Sequence, residues 1–334
     1  MRRRLAYLLS RARSSAGKRV WSLAVAIAPT AHWPAVRVFV DILWCSVRYE
    51  VAFQDYQDWD VYRLSRRERA TLMTHPKSDH IAARYDAAAF RHLFADKVEF
   101  NRLFADYLGR EWIDLREADA AAVSALIKRH PALILKPVDS LGGHGVEKID
   151  ASTIGDLESF ISRAVGARQF LLEECLIQHP ELARLNPSSV NTLRLITFRK
   201  DGEVHLLASA LKIGNGGAID NFSDGGMYTM LDDSGRALSA AFDGAGHSYS
   251  VHPRSGVTIL GFEVPLFGEA VALVTKAARV VPEIPYVGWD VAILPDGPVL
   301  IEGNYNTGVF QAKPNGVGEY RGLLPRYRAV IGEF

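Results

Sequence analysis

Two acids and an amide near the end of the chain have the types and spacing to hold a metal ion. Residues 287–306, VGWDVAILPDGPVLIEGNYN, read as two strands around a tight turn: 287–294 is β-rich, and 299–303 follows. Pro295-Asp296-Gly297 predicts a three-residue hairpin loop, with proline presetting φ and glycine taking the left-handed position. Such a loop pairs Leu294 with Pro298, Asp290 with Glu302 and Gly288 with Asn304. Side chains alternate along a strand, so Asp290, Glu302 and Asn304 share one face, and Trp289, Val291, Ile293 and Ile301 take the other. Facing carboxylates repel unless a cation lies between them. Mg²⁺ held by one or two carboxylates plus substrate phosphates suits this set; two acids on a solvated sheet face is the alternative. A loop of two or four residues would send Asp290 and Glu302 to opposite faces.

A second chemical feature is the loop DSLGGHG, residues 139–145, which runs between short strands at 132–135 and 146–149. Gly142, Gly143 and Gly145 allow close backbone approach, and N–H groups there can face phosphate oxygens. Ser140 belongs to the same loop, and Lys136 supplies a point charge at its base. No Gly-Lys-Ser/Thr opens a helix, so this is not a Walker loop, and it leads into a strand, so it is not a dinucleotide fingerprint. It reads as a hairpin covering nucleotide phosphates or as a surface hairpin.

The elements around these features follow from periodicity. Residues 90–108 place Phe90, Leu93, Phe94, Val98, Leu103, Phe104 and Leu108 at helical spacing, with Gly109 as a stop. Lys97 sits on or beside this helix. Helices are expected at 118–130, 154–165 and 267–280. The strand 169–175 ends in Glu173 and Glu174, with Glu181 seven residues after Glu174. The strand 188–198 carries Asn191, Thr192 and Arg194; the strand 204–213 returns and ends with Lys212. Residues 214–226, with Asp220, Asn221, Gly225 and Gly226, are too long and irregular for a simple turn, and such loops are functional or disordered. Residues 235–253 form another irregular excursion, whose His247 and His252 lack metal spacing. Residues 1–90 read as mainly helical, with a buried helix at 35–51, a short charged one at 65–73, and Tyr49, Tyr56, Trp59 and Tyr62 as packing residues.

A chain of 334 residues suggests about two domains. The net charge of +1 argues against a general nucleic-acid binder. Cys45 and Cys175 are far apart and show neither zinc spacing nor a disulfide framework, which fits a reducing, cytoplasmic setting. The N-terminus carries Arg2, Arg3, Arg4, Arg11, Arg13, Lys18 and Arg19 with no acid before Asp41, followed by a short apolar run at 21–28. The run is too short to span a bilayer. A basic arm that touches acidic lipid or a partner, and a solvated helix face, both fit it.

Taken in order, these features resemble the ATP-grasp superfamily. The runs DKVEFNRLF, ILKPVDSLGGHG, QHPEL, SVNTLRLITF, AIDNFSDGG and GWDVAILPDGPVLIEGN look like its sugar-transfer-associated family, over residues 90–325. The resemblance implies an α+β, ATP-grasp fold: a helical N-terminal region (1–90), then two lobes (91–173 and 174–334) clamping ATP. It implies that Lys97 and Lys136 hold the α- and β-phosphates and that the 139–145 loop, with Ser140, Gly142, Gly143 and Gly145, closes over them. Backbone groups from Glu173 and Glu174 to Leu176 would meet adenine, and Glu181 the ribose. Arg194 and Lys212 would stabilise the transferred phosphoryl group. Asp290, Glu302 and Asn304 would hold one or two Mg²⁺ ions, with Mn²⁺ as the alternative. The implied activity is ATP-dependent joining of a small-molecule carboxylate to an amine through an acyl phosphate, releasing ADP and phosphate. A phosphotransferase acting on a small-molecule or sugar acceptor, and a nucleotide-binding module without turnover, are the rivals. The helical N-terminal region departs from the βαβ domain that usually precedes this fold and often shapes the acceptor site.

Overall fold

The computed structural model describes residues 15–138, 145–216, 222, 225–314 and 319–334. The chain forms two compact units, Met1–Arg84 with Gly308–Phe334, and Tyr85–Thr307. The C-terminal tail thus groups with the helical N-terminal region, whereas the sequence-based division kept it in the last lobe.

In the first unit, α1 (Ser15–Ala31) and α2 (Ala35–Arg48) are separated by a break that ends at Pro34, the residue capping α2. Val20, Ala24 and Ile27 on α1, and Val38, Ile42 and Cys45 on α2, recur three or four residues apart and are buried. After α3 (Phe53–Asp58), a capping box between Ser65 and Glu68 starts the short α4 (Arg66–Arg69). The helix α5 (His75–Tyr85) follows. Tyr49, Tyr56, Trp59 and Tyr62 are buried, as their packing role requires.

The second unit opens where one helix was expected over 90–108. Three short ones occur instead: α6 (His92–Ala95), α7 (Lys97–Leu103) and α8 (Ala105–Leu108). Asp96 leaves the helical region and accepts hydrogen bonds from the Val98 and Glu99 amides at 2.8 and 3.1 Å. This cap costs one turn of helix and places Lys97 at the start of α7. Phe94, Phe100, Phe104 and Leu108 still reach a common core.

Two antiparallel sheets follow. The first comprises β1 (Trp112–Asp114), β2 (Ala132–Lys136), β3 (Glu147–Asp150) and β4 (Leu171–Glu174) in the order β1-β4-β2-β3. The helices α9 (Ala120–Arg129) and α10 (Leu157–Gly166) bury Val123, Leu126, Phe160 and Ala164 against Leu133, Leu135, Ile149 and Leu172. After α11 (Pro180–Leu185) come β5 (Thr192–Lys200), β6 (Glu203–Ile213), β7 (Met227–Met230), β8 (Ala241–Asp243) and β9 (Ser248–Tyr249). The helix α12 (Phe267–Ala277) precedes the hairpin of β10 (Tyr286–Leu294) and β11 (Gly297–Asn304). The sheet order is β11-β10-β5-β6-β7-β8-β9. One face carries Leu193, Leu195, Leu211, Trp289, Val291 and Ile293, packed with α12 and the phenylalanines of α6 to α8. The strands β8 and β9 lie in the segment expected to be irregular.

The hairpin keeps the expected pairing at the acids by a different route. Leu294 pairs with Gly297, so the loop is two residues, Pro295 and Asp296, and Gly297 opens β11 at φ +143° rather than in the left-handed helical region. The register then shifts between Asp290 and Val291, because Val291 opposes Leu300 while Asp290 opposes Glu302. Ile301 is the extra residue of a bulge, and bulges re-aim side chains in this way. Leu300, not Ile301, enters the core.

Candidate functional site

Four strands carry a charged row on the face opposite the core. Glu302 on β11 opposes Asp290 on β10, Asp290 opposes Arg194 on β5, and Lys212 on β6 lies two residues beyond the partner of Arg194, Ala210. The Arg194 guanidinium donates to both Asp290 oxygens, Nε to Oδ1 at 2.7 Å and Nη2 to Oδ2 at 3.0 Å, and Nη1 donates to the Thr307 carbonyl at 2.9 Å. Lys212 Nζ lies 3.3 Å from Asp290 Oδ2. Burial alone would raise the Asp290 pKa; the Arg194 and Lys212 charges outweigh it and hold the carboxyl below the usual range. A Cβ at Gly288 would lie 3.0 Å from Arg194 Nη1 and from the Thr307 backbone, so glycine leaves the space this clamp occupies. Asn304 Nδ2 is 3.3 Å from Glu302 Oε1.

A second buried cluster centres on Glu173. Lys136 Nζ lies 2.6 Å from Oε2, and Arg110 Nη2 and Asn101 Nδ2 donate to Oε1 at 3.1 and 2.9 Å. Burial would raise the Glu173 pKa, but the Arg110 and Lys136 charges pull it down to about 2. Burial pushes Lys136 below the usual lysine value despite the Glu173 charge. Arg110 also donates to the carbonyls of Leu300 and Ile301. It therefore fastens the bulge of β11 to the end of β4. Nothing in the sequence pointed to Arg110: its spacing matches no motif, and its partners Leu108, Glu173, Leu300 and Ile301 come from three separate segments.

Both clusters border one cavity of about 500 Å³, whose wall includes Lys97, Lys136, Lys212, Asp290 and Glu302. Glu174, Cys175, Leu176, Ile177 and Gln178 line another part, and Lys148 on β3 joins them unforeseen. Lys97 donates its amide to the Val138 carbonyl at 3.1 Å, which ties α7 to the end of β2. Gly145 has φ +76°, and its carbonyl accepts from Gln169 Nε2 at 2.9 Å. Ser140, Gly142 and Gly143 lie outside the described residues, as do Asp220 and Asn221.

Three expected roles need correction. Arg194 is not on the cavity wall; it positions Asp290. Glu173 cannot serve adenine as expected, because its backbone pairs with both β1 and β2 and its side chain neutralises Lys136 and Arg110. The amides of Glu174 and Cys175 are likewise committed, to Glu111 and Ala132, which leaves Leu176 as the wall residue just past the sheet. Glu181 is exposed, paired with Arg184 at 2.8 Å, and absent from the wall.

Among the described residues, no three His, Cys, Asp or Glu side chains group as a metal cluster. The oxygen donors that do converge are two carboxylates, Asp290 and Glu302, with the Asn304 amide beside them. That sparse, hard set fits Mg²⁺, which keeps water and phosphate as most of its ligands.

The model of the sugar-transfer associated ATP-grasp family matches residues 82–330. Solved structures align at low identity. The ATP-grasp ligase PsnB, complexed with a phosphomimetic variant of its minimal precursor, Mg and ADP, is 16% identical over 82% of this chain and 71% of that one, with a TM-score of 0.43. The L-amino acid ligase from Bacillus licheniformis is 13% identical over 70% and 46%, with a TM-score of 0.40. D-alanyl-alanine synthetase A from Vibrio cholerae O1 biovar eltor is 12% identical over 72% and 61%, with a TM-score of 0.38. No curated protein matches the chain. The family match covers well over half of the chain and every residue of the cavity wall, and the protein belongs to the sugar-transfer associated ATP-grasp family.

Proposed function

We propose that the protein is an ATP- and Mg²⁺-dependent ligase that joins a carboxylate to an amine. The observation that carries this reading is the convergence of Lys97, Lys136 and Lys212 with Asp290 and Glu302 around one cavity. Phosphoryl transfer asks a protein mainly for positioning and for neutralisation of charge, and these side chains supply both. No activated serine or cysteine is required.

In this reading Lys97 and Lys136 hold the α- and β-phosphates, and the backbone at Leu176 meets the adenine edge. Glu173 and Arg110 keep Lys136 fixed. Asp290, Glu302 and Asn304 would hold Mg²⁺, which supplies positive charge at the phosphates when bound. Arg194 keeps Asp290 ionised and oriented, and Lys212 faces the transferred group. A substrate carboxylate oxygen attacks the γ-phosphorus, and the bond to ADP breaks. The amine nitrogen then attacks the acyl carbon, loses a proton, and phosphate leaves with the original carboxylate oxygen. Amino acids, peptides and sugar-linked acids or amines are the substrate classes this chemistry accommodates. The setting we assign is the cytoplasm, where ATP and reduced cysteines coexist.

The test is trapping with hydroxylamine in place of the amine, using ATP, Mg²⁺ and a panel of carboxylic acids. The expected products are a hydroxamate, ADP and phosphate. AMP and pyrophosphate as main products would overturn the mechanism. ADP with a phosphorylated hydroxyl compound and no hydroxamate would assign a phosphotransferase, and no turnover across the panel would assign a nucleotide-binding module.

A further inference from the structure

We propose that the α1–α2 pair docks on an anionic lipid bilayer and lies along its interface. The buried faces of these helices point at each other and into their own unit. That leaves Trp21 and Val25 on α1, 44% and 49% exposed, and Val36, Val40 and Trp44 on α2, 62%, 59% and 54% exposed. Each set is spaced by four residues, so each forms a stripe along its helix. Five of the eleven large apolar side chains exposed among the described residues fall on these two helices, so the apolar surface is concentrated and not scattered. The stripe on α2 continues into an open groove with Trp33, Pro34 and Leu64. The Arg37 guanidinium covers the Trp33 ring at 3.9 Å.

Charge identifies the occupant. Residues 1–48 hold nine lysines and arginines and one acid, Asp41, while the rest of the chain has 30 basic and 37 acidic residues. The near-neutral total therefore conceals a strongly basic end. Asp41 does not offset it outward, since its carboxylate accepts from Arg69 at 2.8 Å and from the Tyr56 hydroxyl at 2.6 Å. Apolar stripes with tryptophans, bordered by one sign of charge, match the headgroup zone of an acidic membrane. A second copy of this chain would bring the same basic excess against itself.

Neither described helix is long enough to cross the bilayer by itself. Their 17 and 14 residues give lengths of about 26 and about 21 Å, short of the hydrocarbon thickness of about 30 Å. Together they have the length and composition of a broken span, but they are bent by 113° at their break, and no single described helix is long and apolar enough to cross.

The experiment is co-sedimentation of the full chain with vesicles of phosphatidylcholine alone or mixed with phosphatidylglycerol. Binding is expected to the mixed vesicles, weakened by salt, with little to the neutral ones. The double variant Val40→Asp, Trp44→Ser should lower partitioning about tenfold or more, because binding follows buried apolar area. Its helicity and hydroxamate formation should be unchanged. A second variant, Lys18→Glu with Arg19→Glu, leaves the apolar stripes intact and should weaken the preference for acidic lipid severalfold. Failure to sediment with mixed vesicles would overturn the proposal. So would a concentration-dependent dimer in light scattering that Val40→Asp, Trp44→Ser dissolves while no vesicle binding occurs; the face would then belong to a second copy.

Discussion

Glu302 separates chemistry from folding better than its neighbours do. It is half-buried at the end of an edge strand and faces another carboxylate, so replacing it with glutamine relieves repulsion and preserves shape. Glu302→Gln should leave the unfolding midpoint unchanged or slightly raised. Turnover should fall about a hundredfold or more, the equivalent of about 3 kcal/mol of lost transition-state stabilisation. Near-normal turnover would remove Glu302 from the reaction. Arg110 is the opposite case. Its side chain is 2% exposed, and it shares Glu173 with Lys136. Arg110→Ala leaves a buried charge cluster short of one partner, and urea unfolding should show a loss of about 3–5 kcal/mol. The exposed pair Arg163–Glu147, at 50% and 45%, gives the comparison: Arg163→Ala should cost less than about 1 kcal/mol.

At the scale of the element, the β10–β11 hairpin shows what the sequence could and could not say. The pairing of Asp290 with Glu302 was legible, because alternation and turn chemistry both pointed to it. The reason was only half legible. The loop is one residue shorter than expected, and the bulge at Ile301 adds one residue back, so the two differences cancel at the acids. A bulge is fixed by tertiary bonds, here from Arg110 to the Leu300 and Ile301 carbonyls, which no local pattern announces. Deleting Ile301 should therefore leave Glu302 opposite Asp290 in a regular ladder but remove a carbonyl that anchors Arg110, and turnover should fall at least tenfold, whereas Ile301→Ala should retain most of it. Equal activity in both variants would mean the bulge does not set the site. The break at Asp96 hides for a similar reason: the apolar periodicity runs through it, and only the cap geometry ends the helix.

The start of β10 carries a pH-sensitive contact. Asp86 Oδ1 accepts from the Tyr286 amide at 3.1 Å, and Oδ2 is buried with no partner among the described residues. Burial pushes the carboxyl up to about 7, against the smaller opposing effects of that amide and of Arg91. The folded state thus binds a proton that the unfolded chain, with a pKa of about 3.9, releases earlier. The resulting stability is fully present below about pH 4 and is lost as pH rises through about 7, at most about 4 kcal/mol. Asp86→Asn should be clearly more stable than the parent at about pH 8.5 and much closer to it at about pH 5.5. An identical stability difference at both values would contradict the assignment.

Across the whole molecule, the α+β class, most strands and the family were legible, because they rest on periodicity and on motifs in order. Boundaries that depend on distant packing were not. The tail after Gly308 groups with the helical region, and Glu181 turns to Arg184 instead of the cavity, although each looked otherwise in the linear chain. The same distinction applies to charge: a net value of +1 is uninformative, while its distribution along the chain is not. What joins these scales is one claim, that a carboxylate takes the γ-phosphoryl group in the cavity between the two clusters. Isotope transfer tests it most directly. An acid that gives a hydroxamate would be labelled with ¹⁸O in its carboxylate and turned over with ATP, Mg²⁺ and an amine. The account predicts one ¹⁸O in the released phosphate for each amide formed. Label in AMP, or unlabelled phosphate alongside amide, would contradict it.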